Sequence, residues 1–145
     1  MAFVLVFLAI ELAVVLIAAC AGGKPERVGS GIVLAMIVVT YVGHPLLGWT
    51  YETVDPVGLA VDLIGLASFV WLGLVSRRFW PLWAASLQVL STGAHLVRAL
   101  AIPVLPWVYF WMKVAPTLGV LILLMVATWS HRRAEARRRR NSSPS

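Results

Sequence analysis

Leu87-Gln-Val-Leu-Ser-Thr-Gly-Ala-His-Leu-Val-Arg-Ala-Leu100 is the stretch whose reading decides the fold. It lies inside an apolar run long enough to cross a bilayer, yet it carries Gln88, Ser91, Thr92, His95 and Arg98. Side chains three and four apart stack on a helix, so positions 88, 91 or 92, 95 and 98 or 99 share one face. Lipid cannot satisfy a polar stripe, so on a membrane helix such a face turns inward, toward other helices or water. The spacing therefore predicts a bundle built around this stripe.

Composition supports a membrane setting. Of 145 residues, 61% are hydrophobic and 12% charged, with mean hydropathy +0.90. A soluble domain is about a quarter charged, and one small core cannot hide this much apolar sequence. The net charge of +6 is uneven: Arg132, Arg133, Arg137, Arg138, Arg139 and Arg140 crowd into the tail. A single cysteine, Cys20, excludes an intrachain disulfide and a cysteine-based metal site built from this chain alone.

Outward from the stripe, apolar runs and breakers predict five spans, at about 2–22, 28–44, 57–76, 81–101 and 105–129. Gly22-Gly-Lys-Pro-Glu-Arg27 makes the first turn, and the His44-Pro45 step is expected to end the second span. The polar connection 46–56 places Trp49 and Tyr51 at interfacial level and carries two acids but no base. Pro116 is an expected kink in the fifth span. Ile17-Ala-Ala-Cys20 resembles a lipoprotein processing site, but no basic region precedes it and Glu11 interrupts the run, so the first span is read as retained.

Basic residues give an orientation. Lys24 and Arg27, Arg77 and Arg78, and the arginine tail follow spans one, three and five. Five spans with the N-terminus outside place all three groups in the cytoplasm, which no four-span arrangement does. The expected fold is an all-α membrane protein: a bundle over 1–131 with a C-terminal cytoplasmic tail over 132–145, Arg-rich and disordered. The tail's arginines, with Arg77 and Arg78, serve topology and contact with anionic lipid. Nothing aromatic is interleaved among them, which argues against nucleic acid.

At about 1.5 Å of rise per residue, His44, Asp62, His95 and Lys113 all fall roughly 22–25 Å above the inner face. Arg98 lies higher, at about 29 Å, and Glu11 lower, at about 16 Å. These six residues form a candidate polar layer in the outer half, above an inner half of Leu, Val, Ile and Ala. Asp62 and Lys113 are the expected ion pair, because neither snorkels easily while Arg98 can.

Such a layer reads first as packing that fixes five helices without chemistry. It reads second as a site for a small ion or polar solute, in a channel or transporter subunit. A third reading is a haem held by His44 and His95. A zinc site would lack its usual ligands, although Asp62 could supply one. Neither a metal nor a cofactor is expected. Zinc-protease, serine-hydrolase, phosphate-loop and Cys-x-x-Cys motifs are absent, which weighs against an enzyme without deciding the matter.

Arg78-Phe-Trp-Pro-Leu-Trp83, Thr92-Gly-Ala-His95 and Ala127-Thr-Trp-Ser-His-Arg132 resemble segments of uncharacterised, short, multi-pass bacterial inner-membrane proteins. The resemblance covers the C-terminal half best. It implies a bacterial plasma-membrane location and brings no assigned activity. Together these readings describe a non-catalytic interaction or accessory subunit, partnered by lipid and by a larger membrane complex or further copies of itself.

Overall fold

A computed structural model describes residues 2–47, 55–100 and 105–141. They form five helices: α1 (Ala2–Ala21), α2 (Lys24–Leu47), α3 (Pro56–Ser76), α4 (Trp80–Ala99) and α5 (Pro106–Asn141). Each helix packs on its neighbour in the chain, and α5 returns to α1, so the bundle closes on itself. The polar connection 46–56, with Trp49 and Tyr51, lies mostly outside the described residues.

Four helices, α1, α2, α3 and α5, are long and apolar enough to cross a membrane. The fifth, α4, is the one that carries Gln88, Ser91, His95 and Arg98, and these lower its apolarity. The core is apolar where Phe69, Leu72 and Leu124 meet Ala18, Ala84 and Ala85. Small residues there let helix backbones approach closely. The outward faces are apolar as well: Leu5, Ile64, Leu74 and Ile122 are all at least 60% exposed. Meanwhile Glu11, Asp62, Gln88, Ser91 and His95 are buried. Polar residues inside and large apolar residues outside reverse the pattern of a water-soluble bundle.

Two helix ends differ from expectation. Helix α2 does not stop at His44 but runs through Pro45 to Leu47, since the bias of a residue before proline is a preference and not a bar. Helix α5 continues unbroken through Pro116 and then through the arginines to Asn141, where a disordered tail was expected. Extending an existing helix is far easier than nucleating one, and arginine is a good helix former. Glu135 adds i,i+4 contacts to His131 at 4.0 Å and Arg139 at 3.9 Å.

Candidate functional site

The site begins with the start of α3. Asp55 caps that helix: its Oδ1 accepts the Gly58 N–H at 2.9 Å, and Pro56 follows as the first helical residue. An acid before a proline is a strong helix start, because the side chain takes an orphan N–H and the proline lacks one. The cap also gathers partners from two other helices. Lys113 Nζ on α5 donates to Asp55 Oδ2 at 3.0 Å, and His44 Nε2 on α2 lies 3.0 Å from the same oxygen. His44 Nδ1 faces the Thr40 carbonyl at 2.9 Å. Both neighbours of this ring are acceptors, so a ring carrying both protons donates to each.

The expected pairing of Lys113 with Asp62 is therefore wrong. Lys113 belongs to Asp55, which is 1% exposed. Burial alone would raise the Asp55 carboxyl, but the Gly58 N–H, His44 and Lys113 outweigh it and hold the group at about 2 instead of 3.8.

Asp62 takes its partners from α4. Ser91 Oγ donates to Asp62 Oδ2 at 2.7 Å, and His95 Nε2 approaches the same oxygen at 3.3 Å, although neither buried ring nitrogen of His95 makes a hydrogen bond among the described residues. Ser91 and His95 stand one turn apart on the predicted stripe, and with Gln88 they are buried. Arg98 does not join them: it is exposed and lies outside the cavity described next. Gly58 separates the two clusters by the width of a backbone. A Cβ there would stand 2.4 Å from Asp55 Oδ2 and 2.9 Å from His95 Cε1.

Between the helices lies a cavity of about 270 Å³. Glu11, His44, Asp62 and Lys113, four of the six candidate residues, line it together with Gln88 and Ser91. His95 touches it through Asp62. Below, Val120 and Leu121 form an apolar floor, and the core around Leu124 follows one turn further along α5. Glu11 is 6% exposed, and among the described residues its Oε2 has no hydrogen-bond partner. Gln88 Oε1 is in the same condition. A buried acceptor without a donor is rare and costly. Two of them on one cavity leave an unmet demand for N–H or O–H donors.

Among the described residues, no group of three or more His, Cys, Asp or Glu side chains could hold a metal ion. The arginines expected to serve topology lie at the opposite end of the molecule. Arg77 and Arg78 close α3, with Arg77 in the left-handed conformation at φ 51°. Arg132, Arg133, Arg137, Arg138, Arg139 and Arg140 project from the extended α5, all exposed, with Arg133 stacked 3.5 Å over Trp129.

Sequence reasoning passed over Asp55, counting it only as a loop acid. The Asp55-Pro56 step at the head of an apolar run was the available signal. No protein-family model, curated protein or solved structure matches this chain.

Proposed function

We propose that this is a small multi-pass protein of the bacterial inner membrane, with its N-terminus outside and its C-terminus in the cytoplasm. In this reading it is a non-catalytic subunit of a channel or transporter complex, and its cavity holds a small cation or a donor-rich polar solute. One observation carries the proposal: Glu11 keeps a buried carboxylate oxygen unpartnered on a cavity that Gln88 lines with a second unpartnered acceptor. Apolar outer faces support the membrane setting, and the three basic groups support the orientation. A haem between His44 and His95 finds no support, since both ring nitrogens of His44 already face acceptors.

Thermal unfolding in detergent tests the solute. Sodium, potassium, ammonium, methylammonium and guanidinium chlorides would be compared at constant ionic strength. At least one should raise the midpoint of the wild type by roughly 3 °C or more and leave Glu11→Gln unmoved. Equal responses of both proteins to every salt would end the proposal. Topology is tested by placing Thr53→Cys or Ser143→Cys in a Cys20→Ser background. An impermeant thiol reagent on intact cells should modify position 53 alone.

A further inference from the structure

At the other end of α2, the turn between α3 and α4 and the extension of α5 enclose a second cavity, of about 590 Å³. Arg77, Arg78 and Arg138 line it, together with Glu26, Trp80, His131 and the exposed Glu135. Glu26 is 2% exposed, and among the described residues its Oε2 has no hydrogen-bond partner. The Trp80 Nε1–H is also buried and donates to nothing among the described residues.

Both side chains are packed against the fold. The indole of Trp80 rests on Gly29, where a Cβ would stand 2.4 Å from its Cη2. Phe69 meets it edge-on, with ring centroids 6.4 Å apart. Glu26 packs against Gly23, whose added Cβ would lie 2.9 Å from Oε2 and 2.8 Å from His131 Cε1. One cavity is thus lined by arginines, by a residue with an orphan indole donor and by an acid with an orphan oxygen.

These needs are opposite, and together they define a ligand. Arginines and an indole N–H suit a phosphate. Glu26 repels a purely anionic group and calls for an ammonium. We infer that this cavity binds a zwitterionic phosphoamine headgroup, a phosphodiester joined to a primary ammonium as in phosphatidylethanolamine. The phosphate sits at Arg77, Arg78 and Trp80 Nε1, and the ammonium at Glu26. Phe79, 80% exposed, and Val126, 55% exposed, flank the cavity where acyl chains would leave it. This inference is independent of the Glu11 cavity.

Titration calorimetry on the full chain in detergent, with dihexanoyl lipids as probes, is the test. Dihexanoyl phosphatidylethanolamine should bind saturably and about tenfold more tightly than dihexanoyl phosphatidylglycerol. Glu26→Gln should erase that preference by weakening the ethanolamine lipid alone. Should that buried substitution unfold the protein, Arg78→Gln, at an exposed position, should weaken both lipids alike. Free O-phosphoethanolamine is the control for source. Binding as tight as the lipid's supports the headgroup chemistry with a soluble ligand, and much weaker binding supports the lipid itself. Phosphatidylglycerol or inorganic phosphate binding as tightly as the ethanolamine lipid would overturn the inference, as would the absence of saturable binding.

Discussion

Asp55 and Glu11 are buried to a similar degree, at 1% and 6% exposure, and the protein treats them in opposite ways. Asp55 receives a backbone N–H, a lysine and a histidine, and through them it ties α2, α3 and α5 together. Glu11 has an oxygen that receives nothing from the described residues, on a cavity wide enough for a small guest. Breaking up a fully partnered buried carboxylate is costly, because it leaves its partners buried without their counter-ion, whereas a buried oxygen without a donor already carries a desolvation cost in the folded state. The same bundle thus contains a carboxyl group that stitches three helices and another with an oxygen that no described residue meets.

The largest expected effect comes from cutting the stitch. Asp55→Ala removes a helix cap and leaves Lys113 and His44 without their acid, at a cost of about 3–5 kcal/mol in detergent unfolding. Acid should have a milder form of the same effect. The folded Asp55 carboxyl titrates at about 2 against an ordinary 3.8, so its stabilisation is complete above 3.8 and disappears as pH falls through about 2. The stability gap between wild type and Asp55→Asn should therefore close over that window and stay constant above it.

Lys113→Met comes next, at about 2–3 kcal/mol, because the charge of Asp55 loses one partner and keeps the others. Adding Asp55→Asn should recover part of that loss. The corresponding cycle between Asp62 and Lys113 should show much weaker coupling, since Lys113 pairs with Asp55 and Asp62 faces Ser91 and His95. Stronger coupling at Asp62 would reverse the assignment of partners. Gly58→Ala should cost about 1–3 kcal/mol by pressing a methyl between Asp55 and His95. Smallest is removal of residues 137–145, which should change bundle stability by no more than about 0.5 kcal/mol, because those arginines lie on an exposed extension.

What the sequence made legible follows from what one dimension can encode. The stripe on α4 was readable because helical periodicity places Gln88, Ser91 and His95 on one face, and that face is buried. The gathering of His44, Asp62 and Lys113 on one cavity was readable from similar heights along their helices, whereas Glu11, counted lower on its helix, was not placed beside them by that measure. Height leaves rotation about each helix axis open, however, so the partner of Lys113 was chosen wrongly. Asp55 was missed because a connection carries no period, and only its step to Pro56 marked it as a cap. Composition misread the tail for a different reason. A run of arginines looks disordered in isolation, but here it prolongs a helix already nucleated by packing.

The contrast between Asp55 and Glu11 is tested most directly by equilibrium unfolding of Asp55→Asn and Glu11→Gln side by side, in the same detergent at neutral pH. Asp55→Asn should lose several kcal/mol, whereas Glu11→Gln should match the wild type or exceed it by about 1–3 kcal/mol, because it replaces a buried carboxyl group whose Oε2 nothing among the described residues satisfies. A loss at Glu11→Gln as large as that at Asp55→Asn would show that Glu11 is a structural partner after all, and the cavity would lose its claim to a guest.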